Sequence, residues 1–262
     1  MTILITGTSA GIGFTLANYL GKKGHTVYGL SRKNADSTYF KTIATDITDN
    51  AQVQNAVKEI LKTENRIDVL INNAGMGMVG AVEDSTQEEI LKLFNLNLVG
   101  SVQMMSAVLP KMREQKSGKI INISSIGSEM GLPFRGFYSA SKSALDKVTE
   151  SIRYEVSPWN IQVCALHLGD IKTNIAENRV RTKVSEPYQK TFEKIYAIMN
   201  SHVDEGTEPL EVAAYIEKLL EKKSWKAHFY FGKFGQKIGI PLKWILAQNF
   251  YENLMRKYNK MD

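Results

Sequence analysis

Tyr138 and Lys142 stand one helical turn apart in Tyr138-Ser-Ala-Ser-Lys142. Side chains at i and i+4 share a helix face, so the ammonium can lie beside the phenol. A phenol ordinarily ionises near pH ~10, and a nearby cation favours the phenolate. Tyr138 is therefore a candidate acid/base group near neutral pH. Taken alone, the pair also suits the face of an ordinary amphipathic helix, and other features of the chain must decide.

The first of these is Gly7-Thr8-Ser9-Ala-Gly11-Ile12-Gly13, which follows the strand-like run Thr2–Thr6 and opens a helical pattern. Glycines there allow a tight turn, close approach of a phosphate and tight helix–strand packing. The helix N-terminus offers free N–H groups and a positive dipole end to a pyrophosphate. The spacing is G-x3-G-x-G, and its position first in the chain points to dinucleotide binding.

The second is the end of the next strand, Leu30-Ser31-Arg32-Lys33. A site for NAD usually presents a carboxylate about here to hold the ribose 2′-OH. Ser31 stands in that place and two cations follow. A 2′-phosphate would be repelled by a carboxylate and gripped by an arginine fork. NADP(H) is the expected cofactor.

The elements that must position these residues follow an α/β alternation. Strands are expected at 2–6, 25–30, 41–44, 67–71, 119–124, 161–167 and 227–231. Helices are expected near 12–22, 49–63, 86–113, 137–157 and 208–222. Sequential βα units of this kind imply a Rossmann-type, doubly wound parallel sheet of about seven strands. The 262 residues suit a single domain spanning 1–262, with no Pro/Gly-rich linker and no internal repeat. Beyond Thr173 the alternation fades: 174–206 is polar and helical, and 233–262 is aromatic-rich.

Bulk composition narrows the classes. Cys164 is the only cysteine, which excludes an internal disulfide or a Cys-built metal site. His25, His167, His202 and His228 are scattered without metal-type spacing, so no metal is expected. No apolar run approaches the ~20 residues of a bilayer span, and the strand-like start leaves no room for a signal peptide. The expected location is cytoplasmic. The net charge of +6 gathers at the end: from Lys233 onward six basic groups face only Glu252 and Asp262. No nucleic-acid module is recognisable.

With these residues in hand, the chain resembles the short-chain dehydrogenase/reductase family over about residues 2–176. The glycine loop Thr6–Gly13 comes first. Asp46-Ile47-Thr48 follows the third strand, where the family contacts the adenine ring. Asn72-Asn73-Ala74-Gly75 follows the fourth strand, Asn97-Leu-Val-Gly100 lies in the long fourth helix, and Ile123-Ser124-Ser125 ends the fifth strand. Ser125 precedes Tyr138 by 13 residues, the family's spacing, which favours it over Ser124. Hydroxysteroid and retinol dehydrogenases look most similar. One departure is Leu168-Gly169 where the family usually has Pro-Gly, so the turn beside the nicotinamide loses a fixed φ. Gly169, Ile171 and Thr173 are present to hold the carboxamide.

The resemblance implies catalytic roles for four residues. Tyr138 exchanges the proton, Lys142 stabilises the phenolate and holds the nicotinamide ribose, and Ser125 bonds the carbonyl oxygen. Asn97 would hold a water that links Lys142 to solvent. A homodimer or homotetramer is implied, packed through the helices near 86–113 and 137–157.

Residues 174–206 would cover the substrate, with Ile175, Val184, Tyr188, Phe192, Tyr196 and Met199 as apolar contacts. Pro133, Phe134 and Phe137 would add to the pocket. A lipophilic carbonyl or alcohol is therefore expected. The stretch Ile240–Tyr258 reads as one amphipathic basic helix, packed on the core or forming a lid in preference to docking on a membrane surface. The leading expectation is an NADP(H)-dependent oxidoreductase. A non-catalytic NADP(H)-binding redox sensor and a nucleotide-dependent methyltransferase are the alternatives, and the intact Tyr/Lys, Ser and Asn set argues against both.

Overall fold

The computed structural model describes residues 1–173, 179–259 and 261. Seven strands form a wholly parallel sheet in the order β3-β2-β1-β4-β6-β7-β9. They are β1 (Thr2–Thr6), β2 (Thr26–Ser31), β3 (Lys41–Ala44), β4 (Val69–Asn72), β6 (Gly118–Ser125), β7 (Ile161–Leu168) and β9 (His228–Phe231). The strand order reverses at β1, which pairs β2 on one side and β4 on the other. In open α/β sheets the crevice beyond the strand C-termini at such a switch point receives ligands.

Crossover helices cover both faces. On β1, Ile3 and Ile5 pack in one core layer with α1 (Gly11–Lys22) and α7 (Pro209–Leu220). Leu4, between them, points into the other layer with α2 (Asn50–Glu64) and α4 (Ser101–Gln115). The period of two along a strand makes this division. Both layers are apolar, so β1 reads as a continuous hydrophobic run.

The expected helix at 86–113 is present in three parts. A Thr86/Glu89 capping box starts α3 (Gln87–Phe94), a π-helical turn spans Asn95–Gly100, and α4 continues to Gln115. The run Gln87–Gln115 is long and apolar enough to cross a membrane by length and composition, contrary to the sequence expectation. Half of its apolar window is buried inside the protein, and α4 packs against α2 and the sheet, so it serves as a core helix. The remaining core helix, α5 (Gly136–Val156), packs on β6 and β7.

Two features differ from the sequence reading and one agrees with it. A small second sheet joins β5 (Met78–Val79) to β8 (Val180–Arg181). The helical segment expected within 174–206 is α6 (Glu186–Asp204). The C-terminal stretch is two helices instead of one: α8 (Phe234–Ile245) and α9 (Gln248–Tyr258) flank Leu246 and Ala247, whose backbones are extended.

Candidate active site

The cradle between β1 and α1 needs glycine on steric grounds. Gly7 takes φ +73°, and a Cβ on Gly13 would stand 2.2 Å from the Gly7 carbonyl oxygen. Four hydrogen bonds brace the loop from β4: the Thr6 hydroxyl accepts from the N–H groups of Asn73 and Ala74, and Asn73 Nδ2 donates to the Thr6 and Gly7 carbonyls. Asn73 and Ala74 thus hold the loop as well as border the crevice. At the start of α1, Ala10 provides no side-chain cap and the first turn holds no acid. Its free N–H groups suit a pyrophosphate. The Thr8 hydroxyl nearby is buried without a hydrogen-bond partner among the described residues, so the cradle fits the expected dinucleotide.

At the end of β2 the Ser31 hydroxyl donates to the Lys33 carbonyl at 2.6 Å, shaping the turn that carries Arg32. Arg32 is exposed. Asp46 accepts from the N–H and hydroxyl of Thr48, closing its own turn. The Ile47 side chain is core, packed against Gly100.

Tyr138, Ser125 and Lys142 converge on one cavity of about 410 Å³ at the C-terminal ends of the strands. Gly75, Gly169, Ile171 and Thr173 border the same cavity. Ser125 closes β6, where Gly127 N–H donates to its hydroxyl at 3.0 Å. Lys142, one turn into α5 from Tyr138, donates to the Ile123 carbonyl at 2.8 Å.

Burial sets the proton affinities at the site. Burial raises the Tyr138 phenol above its ordinary value. The main opposing influences are the Ser125 hydroxyl, Arg135 and Arg179; Lys142 is not prominent among them. The cost of burying a charge outweighs nearby cations here, so Tyr138 rests as the neutral acid. Burial also lowers Lys142 to about 8, with Asp146 pulling the other way.

Asn97 adds a brace to the same site. The π-turn carries it inward, where Nδ2 donates to the Met76 carbonyl and to the Ser141 hydroxyl, each at 3.0 Å, and Oδ1 accepts from Met76 N–H. Protein groups occupy both ends of the amide. Asn97 ties the loop after β4 to α5, because Ser141 in turn donates to the Tyr138 carbonyl. A π-bulge at such a position is a common way to aim a functional side chain.

The missing proline before Gly169 has a substitute. Gly169 N–H donates to the Phe231 carbonyl at 2.8 Å, so β9 pins the turn.

The cavity has a polar end and a long apolar wall. Arg135, Asp170 and Arg179 border it near Tyr138 and act on its phenol. Arg135 Nε is buried with no hydrogen-bond partner among the described residues, and Asp170 accepts from Gln236 of α8. None of these three was singled out from the sequence. Arg135 lies three residues before Tyr138, and Asp170 follows Gly169, so proximity to named motifs was the available signal.

The apolar wall comes from Ile195, Ile198, Met199 and Val203 of α6, Leu242 of α8, and Met255 of α9. Of the expected α6 contacts only Met199 lines the cavity. Val184, Phe192 and Tyr196 pack with Phe134 in a small core whose members Val79 and Met199 also line the cavity, and Phe134 also meets Tyr188 edge-on at 6.3 Å. Pro133 and Phe137 do not line the cavity either. Ile175 lies outside the described residues.

Behind Ser125 the fold gathers histidines that the sequence shows as scattered. His167 is fully buried, and its Nδ1 lies 3.2 Å from the Ser125 carbonyl. Its Nε2 meets His228 Nδ1 at 2.9 Å, and Glu129 stands close by. The two rings are hydrogen-bonded directly to each other. Burial lowers the affinity of His167 for a proton.

A family model described as short chain dehydrogenase matches residues 1–184. The 3-ketodihydrosphingosine reductase of Bacteroides thetaiotaomicron is 42% identical over 226 residues, covering 85% of this chain and 84% of the relative. The crystal structure of a short-chain dehydrogenase from Streptomyces avermitilis superposes with a TM-score of 0.84 at 26% identity, covering 100% of this chain and 99% of the other. ElxO with NADP bound gives 0.72 at 27% identity, over 87% of this chain and 94% of the other. NAD+-bound xylitol dehydrogenase shares the fold, with a TM-score of 0.76 at 20% identity over 88% and 97%. Solved neighbours thus carry either cofactor.

Proposed function

As this chain belongs to the short-chain dehydrogenase family, we propose that it is an NADP(H)-dependent oxidoreductase that reduces the carbonyl of a long-chain amphipathic substrate. The observation that carries this reading is the convergence of Tyr138, Ser125 and Lys142 on the polar end of a deep, otherwise apolar cavity beside the glycine cradle.

The nicotinamide, when bound, supplies the hydride. Tyr138, neutral at rest, donates its proton to the carbonyl oxygen as negative charge grows there. Ser125 hydrogen-bonds the same oxygen and stabilises the developing alkoxide. Lys142, charged below about pH 8, stabilises the phenolate that remains. Asn97 keeps the Gly75 loop and α5 in register. An intact acid, cation and hydrogen-bond donor at one point favour turnover over a sensor that only binds the dinucleotide.

Arg32, and the absence of a carboxylate at Ser31, support NADP(H). The division of the cavity supports an amphipathic substrate: its chain lies along α6, α8 and α9, and its head meets Asp170, Arg135 and Arg179. A 3-keto sphingoid base, the long-chain amino ketone in the relative's name, has this layout, and Asp170 is the natural partner for its ammonium. Assembly as a homodimer or homotetramer through α4 and α5 belongs to the same proposal.

The test is NADPH consumption with 3-ketodihydrosphingosine, beside titration of NADPH and NADH against wild type and Arg32→Ala. NADPH-dependent turnover, with NADPH affinity at least tenfold weaker in Arg32→Ala and NADH affinity unchanged, is the expected result. Equal or tighter binding of NADH would overturn the cofactor assignment. No turnover of any long-chain ketone would overturn the substrate class.

A further inference from the structure

The C-terminal helices line the cavity, yet α8 buries no residue fully and α9 buries only Tyr251. Among the described residues, seven of fifteen exposed large hydrophobics fall between Phe234 and Tyr258. Three of them cluster around the α8–α9 turn, Trp244 at 77%, Ile245 at 76% and Phe250 at 61%, while Phe234 at 76% starts α8. None of these three lines the cavity. Apolar surface gathered at one tip, away from the core, marks an interaction site.

Charge identifies the occupant. From Lys233 onward the chain carries six basic groups against Glu252 and Asp262; exposed Lys243 stands at the tip, its ammonium 5.7 Å from the Trp244 ring, and Lys233 and Lys257 are exposed at the other end of the pair. A second copy docking by two-fold symmetry would set this basic surface against itself. An anionic bilayer instead offers opposite charge to the lysines and an acyl interior to the aromatic tip. A single apolar anchor holds only weakly to lipid, and a basic patch supplies the second signal.

We propose that α8 and α9 dock on an anionic membrane surface, with the Trp244–Ile245–Phe250 tip in the headgroup and acyl boundary. The inner sides of the same helices, through Leu242 and Met255, wall the cavity. A lipophilic substrate can therefore pass from the bilayer to Tyr138 without crossing water. That entry route rests on the proposed reductase activity, whereas docking rests on the surface alone. Lid and membrane contact are thus two sides of one helical pair.

Vesicle flotation of the full chain tests the docking, using phosphatidylcholine vesicles with and without phosphatidylglycerol. The comparison protein carries Trp244→Glu, Ile245→Glu and Phe250→Glu, its fold checked by circular dichroism and melting temperature. Single Trp244→Glu and Phe250→Glu variants serve if the triple variant melts early. The expected result is binding to phosphatidylglycerol vesicles at least tenfold stronger than to phosphatidylcholine alone, reduced at least tenfold by the substitutions. No binding by wild type, equal binding to both vesicles, or unchanged binding by the variants would overturn the proposal. Loss of an oligomer in sedimentation velocity, with vesicle binding intact, would assign the tip to a second copy instead. None of these readouts needs catalysis, so failure here is separable from failure of the reductase assignment.

Discussion

Asn97 grips the backbone of Met76 from both sides, donating to its carbonyl at 3.0 Å and accepting its N–H at 2.9 Å. Its side chain clamps the loop after β4 to α5, where it also donates to the Ser141 hydroxyl. A buried donor or acceptor left without a partner costs about 1–3 kcal/mol. Asn97→Ala leaves the Met76 groups orphaned and should cost about 2–4 kcal/mol. Chemical denaturation would show this as a lower midpoint at unchanged slope, and kcat should fall with it because Gly75 borders the catalytic cavity.

Lys142 couples activity and stability to pH with opposite signs. Its ammonium is held at about 8, below the ordinary 10.5. The folded state therefore opposes protonation, and the cost is fully present below pH 8 and gone above about 10.5. Lys142→Met should abolish reduction while leaving the protein as stable or more stable at pH 7, by about 1–3 kcal/mol. In wild type, kcat/KM for NADPH should fall about tenfold per unit as pH rises beyond 8. A flat profile to pH 10 would count against Lys142 as the required cation.

His167 should make the fold acid-sensitive. Burial favours its neutral form, although Asp146 and Glu129 favour the cation. The unfolded chain takes up a proton near the usual ~6.5 and the folded chain resists it. Stability is therefore lost as pH falls below about 6.5. The melting temperature of His167→Gln should decline less steeply than wild type between pH 7 and 5. Half-buried His25, shifted the same way by desolvation, should leave part of the slope in place.

Asp170 should select the substrate head. Asp170→Asn keeps the size and a hydrogen-bonding group but removes the charge. If the substrate carries an ammonium beside its ketone, KM should rise about tenfold or more, the loss of one charge-assisted bond. KM for a neutral long-chain ketone should stay within about twofold, since neutral binding does not use the charge. Equal effects on both substrates would assign Asp170 to holding Gln236 and α8.

What the amino-acid sequence determined by itself was local. The Gly7–Gly13 loop, the strand ends at Ser31 and Ser125, and the Tyr138/Lys142 pair are set by spacings of a few residues, which helix and strand periodicity translate directly into geometry. The parallel sheet was legible for the same reason, because each βα unit carries its own apolar run and helix pattern. The tertiary structure decided everything that depends on which surfaces meet. It set Phe192 and Tyr196 beside Phe134, and set Ile195, Ile198 and Met199 along the cavity that Leu242 of α8 and Met255 of α9 also wall. It paired His167 with His228, which are 61 residues apart, and placed Arg135 and Asp170 at one polar end. It also set the proton affinity of Tyr138, since burial is a property of the assembled site. Spacing along the chain supplied the reacting groups, and packing between distant segments supplied the environment that tunes them.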